Sequence, residues 1–243
     1  MRPTLFISDL HLCAERPQIT QIFNRFITET APAAESLYIL GDLFEFWIGD
    51  DQLDHDPLAA DVAQKLSVLA ATGTRIFFMH GNRDFLIGER LARKANLDIL
   101  ADPTLINDHN SPVLLMHGDT LCTGDANYQS FRQQVRSTEW QKQILAKPYT
   151  ERVALAQSIR SQSDIEKSMK ADAIMDVNVD AVAEAFRRCK SPVLVHGHTH
   201  RPATHEHQVD GQLYIRRVLQ DWHEVGGYLS CSNGEWRTHM ISR

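Results

Sequence analysis

The sequence predicts a layered α/β domain, and three features carry this prediction. Short apolar runs, rich in β-branched and aromatic residues, stop at Gly or at polar residues, as buried strands do. Longer segments with helical spacing lie between them, such as the one that contains Ile19, Phe23 and Phe26. Five of the apolar runs end in clusters of Asp, His and Asn. Strands that alternate with helices indicate stacked layers of sheet and helix.

The apolar runs and their polar clusters follow one another along the chain. The clusters, each placed directly after its run, are Ser8-Asp9-Leu10-His11, Gly41-Asp42, His80-Gly81-Asn82-Arg83-Asp84, His117-Gly118-Asp119 and His196-Gly197-His198-Thr199-His200. In open α/β sheets, ligand sites lie outside the carboxyl ends of the strands. We therefore expect the five clusters to meet at one edge of the predicted sheet.

The remaining segments complete a single domain over residues 1–243. A second helix is expected around Val62, Leu66 and Leu69, and Gly73 ends it. Residues 126–177 show helical patterns interrupted near Pro148 and no strand pattern, so we expect a helical insertion, or lid, over the edge of the sheet. Residues 213–219 and 228–231 have the pattern of returning strands.

Composition narrows the class of protein. The net charge of −6 argues against a protein that coats nucleic acid, although a local basic patch is compatible with it. The four cysteines form no CxxC pair, which indicates reduced thiols rather than a disulfide framework or a zinc knuckle. The N-terminal apolar run is too short for a signal peptide, and no segment reaches the ~20 apolar residues that span a bilayer. We expect any membrane contact to be peripheral.

The polar clusters have the composition of a metal centre. Asp9 and His11 are separated by one residue, so their side chains point the same way in an extended segment, and His198 and His200 repeat this spacing. Carboxylate, imidazole and amide ligands suit Mn²⁺, Fe²⁺ or Zn²⁺ better than Ca²⁺. The complete set of predicted metal ligands is Asp9, His11, Asp42, Asn82, His117, His198 and His200. Seven ligands exceed the needs of one ion and fit two ions, ~3.5–4 Å apart, that share a bridging Asp.

Each of these motifs taken alone has a simpler explanation. Asp42 and Asn82 each directly follow a Gly, as residues in turns often do. The metal centre is favoured because all five clusters occur at predicted strand ends.

Longer strings carry a family resemblance. The motifs DLH, GDLFEFWIGDD, HGNRDF, MHGDTLC and HGHTHRP, which span residues 9–202, resemble those of the calcineurin-like metallophosphoesterase superfamily. Within it, YILGDLFEFWIGDD, HGNRDFLIG, HGDTLCTGDANYQSFR and AIMDVN are similar to the UDP-2,3-diacylglucosamine hydrolases of lipid A biosynthesis. The resemblance implies a four-layer αββα sandwich and two Mn²⁺ per chain. Asp42 would bridge them, with Asp9, His11 and His200 on one ion and Asn82, His117 and His198 on the other; His196 would at most support the ligands.

The resemblance also implies a reaction and a location. The enzyme would hydrolyse the pyrophosphate bond of UDP-2,3-diacylglucosamine and release UMP and 2,3-diacylglucosamine 1-phosphate. A water that bridges the two ions would attack the α-phosphorus, with Asp42, Asn82 and Arg83 as the catalytic residues. We expect a monomer, peripheral on the cytoplasmic face of the inner membrane, that does not bind nucleic acid.

Arg83 stands where many relatives in the superfamily have His. A guanidinium keeps its charge and cannot act as an acid, but it can bind phosphate through two hydrogen bonds. A pyrophosphate leaving group is a stable anion that needs little protonation, so Arg suits this substrate. The alternative is that Arg83 only pairs with Asp84 or Glu89.

The predicted lid supplies further candidate residues. By resemblance, the substrate-binding residues are Asn82, Arg83, Asp125, Ser163, Lys167, Lys170 and His198. Lys167 and Lys170 share a helix face that could meet a diphosphate or could simply be solvated. An apolar stripe could bind the acyl chains or could be ordinary helix packing; it comprises Trp140, Ile144, Leu145, Tyr149, Val153, Leu155 and Ile159.

Three other functions remain open at this stage. A two-metal phosphodiesterase for soluble nucleotides or nucleic acid would share all the metal ligands and differ in the lid. A binding module that had lost catalysis should lack ligands, whereas all seven are present. A structural zinc site would favour four Cys or His ligands.

One departure from the family is Gln220 before Asp221 and Trp222, where relatives place a Gly that can adopt positive φ.

Overall fold

The computed structural model describes residues 2–108, 111–169 and 176–242, with side chains in the long helix described as far as Arg160. The strands within these ranges are β1 (Thr4–Ile7), β2 (Ser36–Ile39), β3 (Arg75–Met79), β4 (Asp98–Leu100), β5 (Thr104–Asp108), β6 (Ser111–Leu115), β7 (Val193–His196), β8 (Ala203–Val209), β9 (Gln212–Val218), β10 (Gly226–Ser232) and β11 (Glu235–Ile241). The α-helices are α1 (Pro17–Arg25), α2 (Gln52–His55), α3 (Pro57–Ala71), α4 (Glu89–Ala95), α5 (Ala126–Val135), α6 (Thr138–Leu145), α7 (Tyr149–Met169) and α8 (Val179–Cys189).

The strands form two mixed sheets. The first has the order β11-β10-β1-β2-β3-β4, and β1 to β4 are parallel in it. The second has the order β5-β6-β7-β9-β8, with β6, β7 and β9 parallel and an antiparallel strand at each edge. Both predicted returning strands are confirmed, as β9 in the second sheet and β10 in the first.

Alternate side chains of the central strands point into different cores. In β1, Leu5 packs into the core that includes α1 and α3, whereas Phe6 points into the core between the sheets. In β6, Val113 lies between the sheets, whereas Leu114 packs with Phe186 of α8 on the opposite side. Because successive residues of a strand face opposite sides of a sheet, the layers run helix, sheet, sheet, helix. The predicted αββα sandwich is confirmed.

Two sheets, rather than one, bring the polar clusters together. Backbone hydrogen bonds join the clusters after β1 and β2, where the amide of Asp9 donates to Gly41 O at 3.1 Å. The clusters after β6 and β7 are joined in the second sheet, where the amide of Gly197 donates to His117 O at 2.9 Å. The expectation of a single sheet edge was therefore wrong. Because the two sheets pack face to face, their carboxyl strand ends meet at one rim of the sandwich.

The segment between β6 and β7 carries helices α5, α6, α7 and α8. Pro148 separates α6 from α7, where the sequence predicted an interruption. Hydrophobic side chains Trp140, Ile144 and Leu155 pack against the first core. Helices α5 to α7 occupy most of the predicted insertion, while residues 170–175 lie outside the described ranges. The role of this segment as a lid stays a prediction.

Candidate metal centre

The predicted ligands occupy loops of unusual backbone conformation. Positive φ angles occur at Asp9 (55°), His11 (51°), Asp42 (54°), His198 (68°) and His200 (54°). Residues other than Gly seldom adopt this left-handed conformation, which costs on the order of 1–3 kcal/mol each. Such strain persists where the surrounding structure enforces it, and it is concentrated here at the rim that gathers the polar clusters.

One half of the centre joins the loops after β1 and β7. The ring atoms His11 Nε2 and His200 Nε2 are 3.4 Å apart, and His200 Nε2 lies 3.5 Å from Asp9 Oδ1. Ligand atoms of these three residues all lie within 4.8 Å of one another. Two imidazoles and a carboxylate facing a common point can hold a divalent cation.

The second half of the centre joins the loops after β2, β3, β6 and β7. Asn82 Oδ1 is 3.1 Å from His117 Nε2 and 2.9 Å from His198 Nδ1. Asp42 Oδ2 is 3.9 Å from both His117 Nε2 and His11 Nε2. The carboxylate of Asp42 therefore lies between the two groups, where a bridging ligand would stand.

The side chains fit a cation. Asp9 and Asp42 are buried, and Asp9 Oδ1 has no hydrogen-bond partner among the described residues. A buried ionised carboxylate is costly unless a positive charge or hydrogen bonds satisfy it. The mixture of carboxylate, imidazole and amide oxygen suits a first-row transition metal. The structure thus brings all seven predicted ligands to one place.

Outer partners orient the histidine rings. His117 Nδ1 lies 2.8 Å from Leu40 O, so its Nε2 faces the centre. His200 Nδ1 faces Asp221 Oδ2 at 3.6 Å, and His11 Nδ1 faces Glu45 Oε2 at 3.8 Å. Carboxylates and carbonyls behind a ligating histidine fix its orientation and raise its basicity.

Two glycines of the sequence motifs, Gly41 and Gly81, lie so close to neighbouring ligand residues that a side chain would not fit. Gly41 has φ 89°, and a Cβ there would stand 2.5 Å from His117 Nδ1. A Cβ on Gly81 would stand 2.1 Å from Asp42 Oδ1. Larger residues would push the Asp42 and Asn82 loops apart, so these glycines allow the ligand loops to pack against each other.

Asp84 is fully buried and joins two ligand loops, a role that the sequence analysis did not assign to it. Its carboxylate accepts hydrogen bonds from the amides of Gly81 at 2.9 Å, Leu43 at 2.7 Å and Asp42 at 3.2 Å. Burial and the neighbouring charge of Asp42 raise the pKa of Asp84 to about 7. Asp84 holds the two ligand loops together, and its position within the Gly-Asn-Arg-Asp string was the available signal.

The pKa values of two histidines in the centre are shifted in opposite directions. Burial alone lowers the pKa of His117, but the carboxylates of Asp42 and Asp119 raise that pKa to about 9. Burial, followed by the charge of His117, lowers the pKa of His198 to about 3. Pairs whose pKa values are pushed apart are typical of functional sites. His196, whose pKa burial and Arg216 lower to about 4, lies behind the centre and hydrogen-bonds Arg216.

Arg83 points at a partner that the sequence reasoning did not consider. Its Nη1 lies 3.6 Å from Glu45 Oε1, while the carboxylate of Asp84 binds backbone amides instead. Glu89 forms an ion pair with Arg93. Pairing of Arg83 with Asp84 or Glu89 was therefore the wrong alternative. The backbone amide of Arg83 also donates to Asp42 Oδ1 at 2.8 Å.

A cavity of about 720 Å³ opens from the centre toward α5, α6 and α7. Candidate metal-centre residues Asn82, Arg83, His198 and His200 are part of its lining. Its lining also contains apolar side chains, which include Phe85, Leu86, Phe131, Val135, Trp140, Ile144, Leu155 and Ile159. Of the predicted apolar stripe, Leu145, Tyr149 and Val153 are not among the described residues that line the cavity. Leu145 is exposed, and the Tyr149 ring instead packs against His55 in a tilted arrangement, with the ring centroids 4.2 Å apart.

Helix α5 is fastened to the centre by residues to which the sequence analysis assigned no role at the site. Buried Asp119 accepts hydrogen bonds from Tyr128 Oη and Arg132 Nε, each at 2.7 Å. The Tyr128 ring stacks on His198 with the ring centroids 6.0 Å apart. Arg136 donates to Gly81 O at 2.7 Å. The position of α5 is thereby tied to the ligand loops.

Of the remaining predicted substrate contacts, only the side chain of Asp125 lies within the described residues. Asp125 lines the cavity and caps α5 by accepting from the amide of Tyr128 at 3.1 Å. Lys170 lies outside the described residues, as do the side chains of Ser163 and Lys167 in α7. Gln220 does not have the positive φ that a Gly would allow, so the turn before Asp221 does not require Gly.

Comparison with known proteins agrees with this geometry. The sequence profile of the calcineurin-like phosphoesterase family matches residues 2–202. The chain belongs to this family. Members of it bind divalent metal ions, and the site just described is the candidate for them.

Similar proteins share the finer resemblance. A protein named UDP-2,3-diacylglucosamine hydrolase from Aromatoleum aromaticum is 52% identical over 93% of this chain and 91% of its own. Proteins of the same name from Cellvibrio japonicus and Stenotrophomonas maltophilia are 49% and 47% identical, and each alignment covers at least 94% of both chains. The resemblance to these hydrolases is confirmed.

A solved structure supports the fold alone. A novel archaeal phosphodiesterase superposes with a TM-score of 0.50 and covers 98% of this chain and 99% of its own, at 13% identity.

Among the described residues, no helix is both long and apolar enough to cross a membrane.

Proposed function

We propose that this chain hydrolyses the pyrophosphate bond of UDP-2,3-diacylglucosamine and yields UMP and 2,3-diacylglucosamine 1-phosphate for lipid A biosynthesis. The observation that carries the proposal is a cavity, about 720 Å³ in volume, whose lining combines residues of the candidate metal centre with apolar side chains. A substrate that carries both a diphosphate and acyl chains matches both parts of this lining. Three relatives with 47–52% identity bear the name of this hydrolase.

Two Mn²⁺ ions are the proposed cofactor. Asp9, His11 and His200 would hold one ion, and Asn82, His117 and His198 the other, with Asp42 shared between them. When bound, such a pair of cations supplies an activated water and offsets the charge that develops on the phosphoryl oxygens. A mixed nitrogen and oxygen ligand set is compatible with Mn²⁺, although ligand type alone also allows Fe²⁺ or Zn²⁺.

Arg83 and Asn82 are proposed to orient the α-phosphate. Arg83 lies beside the centre on the loop that carries Asn82, and both line the cavity. The guanidinium can donate two parallel hydrogen bonds to phosphoryl oxygens and hold the phosphorus in line for attack. Arg83 cannot act as an acid, which suits a departing lipid phosphate that is stable as an anion.

The apolar part of the cavity lining is proposed to bind the acyl chains. Trp140 and Ile144 of α6 and Leu155 and Ile159 of α7 belong to this lining together with Phe85, whose ring centroid lies 6.0 Å from that of Trp140. Each Å² of apolar surface that the acyl chains bury against these side chains contributes about 25 cal/mol of favourable free energy to binding. Asp125 is proposed to accept a hydrogen bond from the uracil or the ribose, and Lys167 and Lys170 to meet the diphosphate. Ser163 is a further proposed substrate contact.

The location follows from the substrate. We propose that the protein acts as a monomer, peripheral on the cytoplasmic face of the inner membrane. Phe131 in α5 and Leu145 in α6 are exposed large apolar residues, and Lys142 and Lys147 lie near Leu145 in the chain. Apolar and basic side chains together favour an anionic membrane surface. One chain contributes all seven candidate ligands.

The test uses metal-stripped protein with Mn²⁺ added back. We expect UMP release from UDP-2,3-diacylglucosamine and none from UDP-N-acetylglucosamine or a cyclic nucleotide. Asn82→Ala should lower the rate at least about 100-fold, because it removes a ligand rather than an outer partner. Cleavage of the soluble nucleotides with the lipid substrate intact would refute the proposal and favour a phosphodiesterase for soluble substrates.

A further inference from the structure

Glu45 occupies an unusual position at the mouth of the metal centre. It follows the Asp42 loop, lines the cavity and is only 7% exposed. Its backbone amide donates to Leu12 O at 3.1 Å, which fixes it against the first ligand loop. A carboxylate this buried needs positively charged partners to offset its desolvation.

Three arginines from different parts of the chain meet this carboxylate. Arg16, which precedes α1, brings Nη2 to 3.4 Å from Glu45 Oε2. Arg83 of the Asn82 loop and Arg160 of helix α7 bring their Nη1 atoms to 3.6 Å and 3.3 Å from Glu45 Oε1. Because Arg83 and Arg160 both line the cavity, Glu45 connects one arginine of the core with one of the helical insertion.

The same carboxylate also faces a candidate metal ligand. Glu45 Oε2 lies 3.8 Å from His11 Nδ1, an atom with no hydrogen-bond partner among the described residues. Arg16 adds a second connection, since its Nη2 donates to the carbonyls of Leu10 and His11. The ring of His11 presents Nε2 to the centre and Nδ1 to Glu45.

We infer that Glu45 is a positioning residue that couples the metal centre to the phosphate-binding arginines. Its carboxylate holds the Arg83 and Arg160 guanidinium groups in the cavity where the substrate's diphosphate must lie, and it orients the His11 ring from behind. The first role, which holds the two arginines for the diphosphate, rests on the proposed function. The second role, which orients His11 (the His11 half), concerns metal binding and does not depend on the substrate.

Glu45→Gln isolates the charge, because glutamine keeps the shape of the side chain. The amide is uncharged and cannot form ion pairs, so Arg83 and Arg160 lose the charge that they share. We expect KM for UDP-2,3-diacylglucosamine to rise on the order of tenfold, with a smaller change in kcat. Mn²⁺ affinity measured by calorimetry should fall about 10- to 100-fold, as for other outer-sphere carboxylates. Glu45→Asp, which keeps the charge, should recover part of both losses.

The matched control is Glu35→Gln. Glu35 also pairs with an arginine, Arg75 at 2.9 Å, but this pair lies on the surface away from the cavity. We expect its KM and Mn²⁺ affinity to equal those of the unaltered protein. A lowered melting temperature for Glu45→Gln with unchanged KM and unchanged Mn²⁺ affinity would overturn the positioning role and leave a purely structural one.

A double-mutant cycle tests the connection to the helical insertion. If Glu45 acts through Arg160, then Glu45→Gln combined with Arg160→Gln should raise KM little beyond the larger single effect. Additive effects on KM would contradict the coupling. An unaltered enzyme that leaves the lipid substrate intact would refute the proposed function instead, and the Mn²⁺ affinity of Glu45→Gln would still decide the His11 half.

Discussion

At the scale of residues, the centre depends on side chains held from behind. Leu40 O, Asp221 and Glu45 stand behind His117, His200 and His11. These partners turn particular ring nitrogens toward the centre before any cation arrives. Such preorganisation lowers the cost of binding, because the ligands need little rearrangement.

The pKa of His117 predicts how metal binding depends on pH. In the metal-free protein burial opposes protonation, but Asp42 and Asp119 raise the pKa of His117 to about 9. A ligating imidazole must be neutral, so binding has to displace this proton at neutral pH. Mn²⁺ affinity should therefore rise about tenfold per pH unit as the pH approaches 9 from below.

Calorimetry in two buffers with different ionisation enthalpies measures this proton. We expect about one proton to be released when Mn²⁺ binds at about pH 7.5, and less release as the pH nears the pKa of His117. An Mn²⁺ affinity that stays constant between about pH 7 and 8.5, with no proton released, would contradict the assignment of His117 as a ligand.

The candidate site was predictable from sequence only in part, and residue type explains which part. Asp, His and Asn after short apolar runs carry their own signal, because few other reasons place them all at strand ends. Glu45 and Asp84 act through partners that are distant in the chain, such as Arg160 and Leu43. Nothing in their local sequence shows those partners, since only the folded loops bring them together.

At the scale of elements, arginines fasten the helical insertion to the core. Arg152 near the start of α7 is 4% exposed and pairs with Asp51 through both terminal nitrogens, with Nη1 at 3.0 Å from Oδ1. It also donates to Ile48 O. Gly49 leaves room for this guanidinium, because a Cβ there would stand 2.3 Å from Arg152 Nη1.

Arg152→Ala should weaken both stability and substrate binding. Losing hydrogen bonds from a buried cation should lower the free energy of unfolding by about 1.5–3 kcal/mol, measured by urea denaturation. KM for the lipid substrate should also rise, since α7 lines the cavity. Lys147→Ala is the control: its pair with Glu151 at 3.4 Å is exposed, so the change should stay below about 1 kcal/mol. Equal effects of the two variants would mean that Arg152 does not anchor the helix.

The strands show which elements the sequence reveals. The seven strands inside the two sheets were predicted, as β1, β2, β3, β6, β7, β9 and β10, because buried faces make their apolar runs conspicuous. The four edge strands β4, β5, β8 and β11 were not predicted. In β8 and β11 buried or half-buried residues alternate with exposed ones, which weakens the apolar pattern.

At the scale of the whole molecule, the sandwich produces a site that neither sheet could build alone. The first sheet contributes the loops with Asp9, Asp42 and Asn82, and the second contributes His117 and His198. The helical insertion then adds an apolar wall beside this rim. Under the proposed function, helices α5 to α7 would select the substrate, whereas the strand ends would supply the chemistry. This division explains how one fold can serve phosphoesterases with different substrates.

The central claim is that a water attacks the α-phosphorus of a lipid-linked UDP at this centre. The most direct measurement is mass spectrometry of the products formed by Mn²⁺-loaded protein from UDP-2,3-diacylglucosamine in ¹⁸O-labelled water. The account predicts one ¹⁸O atom in UMP and none in 2,3-diacylglucosamine 1-phosphate. Label in the lipid phosphate, or no cleavage of this substrate, would contradict it.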